Sequence, residues 1–410
     1  MDSKVISKII KEYGTPVFIY NYEKIKEQYF KLKNALPNHS KIYYSMKANP
    51  TLGICQIIHT LTPNIEVSSL GEIYCALKAG FRDTNILYSG PGKRLQEIKV
   101  ALKQKIKINV ESYQEVLVIE KLCRILSINA TLFLRINPGK KHLMNSIIMT
   151  GISSQFGVED SELDDIIEYI NNSQYMNLVG ISVYYGSQIL NEELIIANCE
   201  EIINIAVNAC KKYGLQLQEI DFGGGFGVNY FHEKDLNISE LCNKLNGLFI
   251  KYKNTLNNVH LAFESGRFLL ADSGCYLTKV LYKKVSKGKN YLICDGGLNH
   301  ILGSSFYNRE VRENFPIEVF NKTGSRKDYY ITGPLCTPKD IFGKKVNIVD
   351  TEVNDYIIVN KVGAYGYTFS PSRFISHLAP AEVIIIYNKP YLLRKREAYS
   401  DLFQNQLILR

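Results

Sequence analysis

Short apolar segments alternate with stretches of helical periodicity between residues 42 and 264. The apolar segments have the length and the branched or aromatic content of buried strands, and the stretches between them repeat apolar residues every three or four positions. The predicted strands are Ile42–Lys47, Ile65–Ser69, Asn85–Ser89, Ile106–Glu111, Thr131–Asn137, Leu178–Tyr185, Glu219–Gly223 and Val259–Glu264. The predicted helices include Gly71–Ala79, Gln114–Leu126, Glu162–Ile170, Glu193–Tyr213 and Ile238–Leu256. Eight such repeats predict an α/β fold of the (β/α)8 TIM barrel type, with an open doubly wound sheet as the alternative.

The pattern changes after Gly266, where strands follow one another without a long helix between them. The predicted strands of this part are Cys275–Val285, Asn290–Asp295, Asp328–Thr332, Tyr356–Gly363, Glu382–Tyr387 and Pro390–Arg394. They predict a C-terminal antiparallel β domain, which we expect the strand Val17–Tyr20, after a helix Ser3–Tyr13, to join. We therefore predict a barrel at residues 24–267 and a β domain at 1–23 and 268–410. The long segment Gly139–Phe156 is predicted to be a functional or mobile loop.

The amino-acid composition argues against several classes of function. The hydrophobic fraction of 46% is ordinary, and no apolar run is long enough to span a bilayer, so we expect a cytoplasmic protein without a membrane partner. The net charge of +9 comes from scattered lysines rather than a dense basic run, which argues against nucleic-acid binding. Nine unpatterned cysteines argue against a disulfide framework and against a metal site.

Lys47 lies where the first predicted strand ends, and Asn49-Pro50 breaks the strand immediately afterwards. An amine at the mouth of a buried strand is expected to be desolvated, which lowers its pKa and favours the neutral nucleophile. Such an amine is suited to a covalent bond with a carbonyl carbon. The alternative is a structural lysine that buries its stem and extends its charge into solvent.

Polar residues follow the other predicted strands at the ends where barrel enzymes carry their chemistry. These ends hold Lys47, Glu66 with Ser68, Ser89-Gly90, Glu111, Arg135 with Asn137, Tyr184 with Ser187, Gly223-Gly224-Gly225, and Glu264 with Arg267. The three glycines can bring backbone N–H groups to a phosphate, or can form a plain tight turn. Glu264 needs a cationic partner, either a protonated pyridine nitrogen or Arg267. A lysine, a phosphate cradle and a carboxylate are the parts that pyridoxal phosphate requires.

Several motifs resemble one known family over nearly the whole chain. They are Tyr44-Ser45-Met46-Lys47-Ala48-Asn49, Leu134-Arg135-Ile136-Asn137-Pro138-Gly139, Gly186-Ser187-Gln188, Asp221-Phe222-Gly223-Gly224-Gly225-Phe226-Gly227, Glu264-Ser265-Gly266-Arg267, Gly333-Pro334-Leu335-Cys336 and Gly363-Ala364-Tyr365. The chain thereby resembles the pyridoxal-phosphate decarboxylases that include diaminopimelate, ornithine and arginine decarboxylases. The resemblance implies an alanine-racemase-like fold, a barrel plus a β domain, working as a homodimer.

The resemblance also implies roles for individual residues. Lys47 would bind the cofactor covalently, and Glu264 would pair with its pyridine nitrogen. The other implied cofactor contacts are Ser187, Gly223, Gly224, Gly225, Arg267 and Tyr365 at the phosphate, Arg135 near the ring hydroxyl, Tyr184 against the ring, and Gly266 beside Glu264. Tyr184 stands where the family usually has a histidine. Cys336 would come from the partner subunit and return a proton to the substrate. Without the motif around it, Cys336 would be interpreted as a core cysteine.

Two departures concern the substrate. Gly303-Ser304 stands where diaminopimelate decarboxylases have an arginine–proline pair, and Thr337 stands where the family has an acidic residue. The stretches 295–300, 333–340 and 376–383 resemble a biosynthetic-cluster subgroup similar to the butirosin-pathway decarboxylase, which acts on a glutamyl group held by an acyl carrier protein. The expected substrate is therefore an amino acid with a masked or carrier-tethered distal end. If Arg309 or Arg312 replaces the lost arginine, the substrate is free diaminopimelate instead.

Two other classes of function remain open at this stage. An alanine-racemase-like isomerase shares the barrel and β domain, but it needs a second base, typically a tyrosine, where this chain presents Cys336. A non-enzymatic cofactor carrier would resemble the barrel alone, and the predicted β domain argues against it.

Overall fold

The computed structural model describes residues 2–139, 147–148, 153–231, 234–301 and 314–409. The chain divides into two compact units. The first, called the barrel unit below, comprises Tyr29–Asn229 and Lys234–Phe268. The second, called the β unit, comprises Met1–Gln28, Tyr230–Glu233 and Leu269–Arg410.

A closed ring of parallel strands forms the barrel unit. Its strands are Lys41–Ser45, Asn64–Val67, Ile86–Tyr88, Lys107–Val110, Ala130–Asn137, Met176–Ser182, Glu219–Asp221 and His260–Ser265. The last strand pairs with the first, Glu264 opposite Tyr43, and this pairing closes the sheet. The prediction of a TIM barrel is therefore confirmed, and the open doubly wound sheet is excluded.

Helices follow most of these strands, as the periodicity predicts. The helices between residues 22 and 251 are Tyr22–Ala35, Leu52–His59, Leu70–Ala79, Leu95–Lys103, Tyr113–Leu126, Leu163–Asn171, Glu192–Tyr213 and Ile238–Lys251. Ser69 and Ser112 begin two of them, because each hydroxyl accepts the N–H of the glutamate three residues later at 3.2 Å. No helix within the described ranges is long and apolar enough to cross a membrane.

The β unit contains one large mixed sheet. Its strands are Val17–Asn21, Gly274–Ser286, Lys289–Cys294, Ile317–Val319, Arg326–Thr332, Ile341–Val349, Tyr356–Asn360, Ala381–Ile386 and Lys389–Arg394, and the helix Ser3–Tyr13 precedes them. The N-terminal strand pairs with Gly274–Ser286 and Ala381–Ile386, as predicted. Most pairs are antiparallel, but the N-terminal strand runs parallel to Ala381–Ile386, and Lys289–Cys294 runs parallel to Arg326–Thr332.

Buried side chains from several strands pack together in the barrel unit. Tyr43, Leu87, Phe133, Val179 and Ala262 form one cluster, and each is at least 95% buried. Gly180 lies beside this cluster, because a Cβ atom at that position would lie 2.3 Å from the Phe133 ring.

We predict that Gly180→Ala destabilises the barrel by about 1–3 kcal/mol, because the added methyl group would overlap the fully buried Phe133 ring. The matched control is Gly247→Ala, on an exposed helical position where an added Cβ meets no atom within 4 Å. That change should stabilise the protein by about 0.5–1 kcal/mol. Denaturant unfolding of both variants measures the difference, and equal effects would contradict the packing described here.

Candidate active site

Lys47 lies at the C-terminal end of the first barrel strand, in a 3-10 turn at Met46–Ala48 rather than in the strand itself. Its Nζ is 3.2 Å from Glu66 Oε2 and 5.9 Å from the centroid of the Tyr184 ring. The Lys47 side chain is 43% exposed, whereas that of Glu66 is 1% exposed. The predicted desolvation of Lys47 is therefore wrong: its charge is held by a buried carboxylate while the amine remains accessible to a reactant.

Glu264 and Asp221 form a buried pair of carboxyl groups on neighbouring strands, and both are at least 92% buried. Asp221 Oδ1 accepts the N–H of Gly223 at 2.9 Å. Burial, and then the negative charge of Glu66, raise the pKa of Glu264 to about 7, and Lys47 and Arg135 oppose this rise. Burial and the charge of Glu264 raise the pKa of Asp221 well above its ordinary range. The charge of Glu264 therefore opposes the ionisation of Asp221.

Arg135 is held by Glu111 at the ends of adjacent strands. Its Nη1 lies 3.1 and 3.2 Å from the two Glu111 oxygens, and its guanidinium lies 4.8 Å from the centroid of the Phe156 ring. Glu111 also accepts the N–H groups of Gly90 at 2.7 Å and Gly157 at 3.2 Å. This carboxylate therefore fixes the orientation of Arg135 and joins two loops to it.

The glycine segment 223–225 packs against the segment that carries Ser187. A Cβ at Gly224 would lie 2.3 Å from the Glu264 carbonyl oxygen, and one at Gly225 would lie 2.3 Å from that of Gly186. Gly223 and Gly225 also have positive φ values of 61° and 92°. Among the described residues, the N–H groups of Gly224 and Gly225 donate to no acceptor. Close packing thus requires these glycines, and two donors remain for an anion.

The remaining barrel residues lie close to the same strand ends. Tyr184 is half-buried and its hydroxyl is hydrogen-bonded to Ser187, and burial raises the pKa of that hydroxyl. A Cβ at Gly266 would lie 2.9 Å from the Ser45 carbonyl oxygen, so the loop before the buried Arg267 rests on the turn that carries Lys47. The barrel unit therefore brings together the barrel residues that the sequence predicted.

The β unit carries the other two predicted residues. Cys336 is exposed, on a loop that follows the strand Arg326–Thr332. Tyr365 has a positive φ of 55°, and its ring centroid lies 6.1 Å from that of Phe369. Gly303, Ser304, Arg309 and Arg312 lie outside the described residues, as does most of the predicted loop Gly139–Phe156.

Three residues of this arrangement had no role assigned from the sequence. Glu66 and Glu111 were recognised only as polar residues at strand ends, and Asp221 only as part of a motif. The structure gives each a partner: Lys47, Arg135 and Glu264, respectively. The available signal was the position of each residue at the C-terminal end of a barrel strand.

Comparison with known proteins places this arrangement in context. Residues 22–271 match the family model described as "Pyridoxal-dependent decarboxylase, pyridoxal binding domain". A curated relative, the L-glutamyl-[BtrI acyl-carrier protein] decarboxylase of Niallia circulans, is 35% identical over 99% of this chain and 97% of its own. A diaminopimelate decarboxylase of Helicobacter pylori is 32% identical over 98% of this chain and 97% of its own.

Solved structures of diaminopimelate decarboxylases also match nearly the whole chain. The crystal structure of Helicobacter pylori diaminopimelate decarboxylase complexed with L-lysine matches with a TM-score of 0.88 and 31% identity, over 97% of this chain and 98% of that one. The crystal structure of a diaminopimelate decarboxylase described as "from m. jannaschi" matches with a TM-score of 0.90 and 25% identity, over 98% of this chain and 94% of that one.

We predict that Glu264 makes the cofactor-free protein less stable as the pH rises from about 4.5 to about 7. Its pKa of about 7 in the folded protein exceeds the ordinary 4.5, so the folded chain holds a proton that the unfolded chain has lost. The free energy of unfolding should fall over this window, and less steeply in Glu264→Gln. Denaturant unfolding at several pH values measures the difference, and parallel curves for the two proteins would contradict it.

Proposed function

Because the chain belongs to the pyridoxal-dependent decarboxylase family, we propose that it is an amino-acid α-decarboxylase whose substrate has a masked or carrier-tethered distal end. Family membership rests on the match over residues 22–271 and on relatives that align with nearly the whole chain. The cofactor is pyridoxal phosphate, and the reaction class is that of a carboxy-lyase. The substrate, the site roles and the assembly are the proposed parts.

The residues at the barrel end fit pyridoxal phosphate. Lys47 offers an accessible amine for the covalent bond to the cofactor. The N–H groups of Gly224 and Gly225 offer donors to a phosphate, and Glu264 is a buried carboxyl group that needs a cation. The other residues proposed to hold the cofactor are Ser187, Gly223, Gly266, Arg267 and Tyr365 around the phosphate side, Arg135 near the ring hydroxyl, and Tyr184 against the ring face.

Bound pyridoxal phosphate supplies a sink for the electron pair that remains on the substrate when carbon dioxide leaves. Glu264 would pair with the ring nitrogen and keep it protonated. Cys336 of the partner subunit would deliver the proton of its thiol to the α-carbon. Its exposed position in the β unit allows this role in a homodimer with shared sites.

The substrate proposal rests on Thr337. A family site that grips a free distal amine uses an acidic residue at this position, and a threonine offers no countercharge. A buried charge without a partner costs several kcal/mol, so such substrates should be rejected. Gly303-Ser304 replaces the arginine–proline pair of diaminopimelate decarboxylases, so a free distal carboxylate should be rejected for the same reason. The relative from Niallia circulans, which acts on a carrier-bound glutamyl group, supports a tethered substrate.

The second candidate is free diaminopimelate, supported by the diaminopimelate decarboxylases at about 30% identity. It requires Arg309 or Arg312 to bind the distal carboxylate. We also propose that residues 24–267 form the domain that binds pyridoxal phosphate and that residues 1–23 and 268–410 form the β domain. The cytoplasmic location stays a prediction from the sequence.

We predict that a glutamyl group on an acyl carrier protein is decarboxylated at least a hundredfold more efficiently than free meso-diaminopimelate, ornithine or arginine, because Thr337 leaves a free distal charge unpaired. Release of carbon dioxide, compared as kcat/KM, measures this preference. The matched variant Thr337→Glu should gain activity on ornithine. Efficient turnover of free meso-diaminopimelate that is lost in Arg309→Ala or Arg312→Ala would favour the second candidate.

We predict that Lys47→Ala subunits, which are inactive, and Cys336→Ala subunits, which form the normal product slowly, restore activity when they are mixed. If each site takes Lys47 from one subunit and Cys336 from the other, one site of a mixed dimer is complete. Random mixing then returns about a quarter of the wild-type activity, as expected for a two-fold symmetric dimer. Lys47→Ala mixed with the double variant Lys47→Ala/Cys336→Ala is the control and should stay inactive. Verified mixed dimers without recovery would refute shared sites.

A further inference from the structure

We propose that Asp340 is a positioning residue that fixes the loop of Cys336 against the segment that leads to residues 302–313. The inference rests on the proposed role of Cys336 as proton donor. It concerns only contacts within the β unit, where Asp340 is 98% buried.

The two carboxylate oxygens of Asp340 accept N–H groups from two different segments. Oδ2 accepts the N–H of Leu335, the residue before Cys336, at 2.8 Å. Oδ1 accepts the N–H of Leu298 at 2.9 Å. A single side chain therefore joins the segment of the thiol to a segment that is about 40 residues earlier in the chain.

The backbone of Asp340 also closes the loop that contains Cys336. Its carbonyl oxygen accepts the N–H of Gly333 at 3.2 Å, and its own N–H donates to the Thr337 carbonyl oxygen at 3.1 Å. Both ends of the segment 333–340 are thus tied to one residue. The exposed thiol of Cys336 lies between these attachments.

The two joined segments cross at a pair of glycines. A Cβ on Gly297 would lie 2.5 Å from both the Asp340 carboxylate and the Gly333 Cα, and a Cβ on Gly333 would be equally close to Asp340 and Gly297. The backbones are therefore in direct contact, and the carboxylate occupies the remaining space at the crossing. Such a crossing leaves little freedom for either segment to shift alone.

The segment that contains Leu298 is itself anchored in the β unit. Asn299 Oδ1 accepts the N–H of Gly297 at 3.1 Å. The buried His300 is hydrogen-bonded to the Tyr276 hydroxyl at 2.9 Å and to the Leu378 carbonyl oxygen at 3.1 Å. Burial lowers the pKa of His300 to about 3, so it stays neutral and keeps these bonds at working pH. Asp340 thereby connects the thiol loop to a fixed element.

A carboxylate is needed at this crossing because an amide has one acceptor oxygen and would turn its NH2 group toward a backbone N–H. Asp340→Asn should therefore loosen the crossing, and with it both segments, while leaving Cys336 chemically intact. A displacement of about 1 Å at a reacting group can reduce turnover on the order of a hundredfold. The misplaced thiol should also protonate the α-carbon less selectively.

The first experiment measures amide hydrogen exchange of Asp340→Asn, with Asp340→Ser as a second variant in case the first does not fold. Peptides covering 297–301 and 333–337 should both exchange faster than in the wild type. The matched control is Asp350→Asn, which removes a carboxylate that binds Tyr329 and Lys283 elsewhere in the same sheet. Unchanged exchange, or a change in only one peptide, would overturn the coupling.

The second experiment is a double-mutant cycle with Cys336→Ala, read out as the product ratio. If the thiol does not deliver its proton to the α-carbon, the cofactor would retain the proton and the substrate's amino group, and water would supply the oxygen of a carbonyl product. This abnormal fraction should rise in Asp340→Asn and in Cys336→Ala but not in Asp350→Asn. The double variant should show no further rise. Additive effects would overturn the proposal.

The two experiments separate this inference from the proposed function. A wild-type protein that decarboxylates no substrate would refute the proposed function, and the exchange data would then decide whether Asp340 couples the segments. Normal product ratios in an active Asp340→Asn enzyme would refute the positioning role alone.

Discussion

Buried negative charge at the C-terminal ends of the barrel strands is the constraint on which the rest of the site depends. A carboxylate removed from water must gain a cation or hydrogen-bond donors, or must take up a proton. Glu66 forms an ion pair with Lys47. Glu111 forms an ion pair with Arg135 and also accepts hydrogen bonds from two backbone N–H groups. Burial and neighbouring carboxylates instead raise the pKa values of both Asp221 and Glu264. Glu264 is therefore the carboxyl group best prepared for a cation supplied by a cofactor.

Carboxylates also accept hydrogen bonds from backbone N–H groups of loops in both units. Loops beyond the strand ends have no ladder partners, so their backbone N–H groups need side-chain acceptors when they are buried. Glu111 accepts such groups from Gly90 and Gly157 in the barrel unit. Asp340 accepts them from Leu298 and Leu335 in the β unit. In both cases one acidic side chain determines how two loops lie beside a residue of the proposed site.

The sequence predicted the barrel well because each buried strand and each amphipathic helix leaves its own periodic signal. It missed the strand Ile341–Val349, because Gly343-Lys344-Lys345 interrupts the alternation of apolar residues. The antiparallel description was incomplete, since no local pattern shows that the N-terminal strand runs parallel to Ala381–Ile386.

The candidate site was predictable as a set of strand-end residues but not as a set of partners. The environment of Lys47 depends on Glu66, 19 residues away on another strand, and strand position alone suggested burial instead. The raised pKa of Asp221 likewise depends on Glu264, a side chain from the neighbouring strand. Pairings of this kind arise from strand register, which sequence periodicity does not specify.

The most direct test of the account is to reduce the holoenzyme with borohydride, which makes the cofactor–lysine bond permanent, and to identify the modified peptide by mass spectrometry. The mass of the reduced cofactor should be found on Lys47. Lys93 and Lys107 provide internal controls, since both are largely buried lysines of the same barrel whose amines lie near other acidic partners. Modification of either of them, or an unmodified Lys47 in active enzyme, would contradict the account.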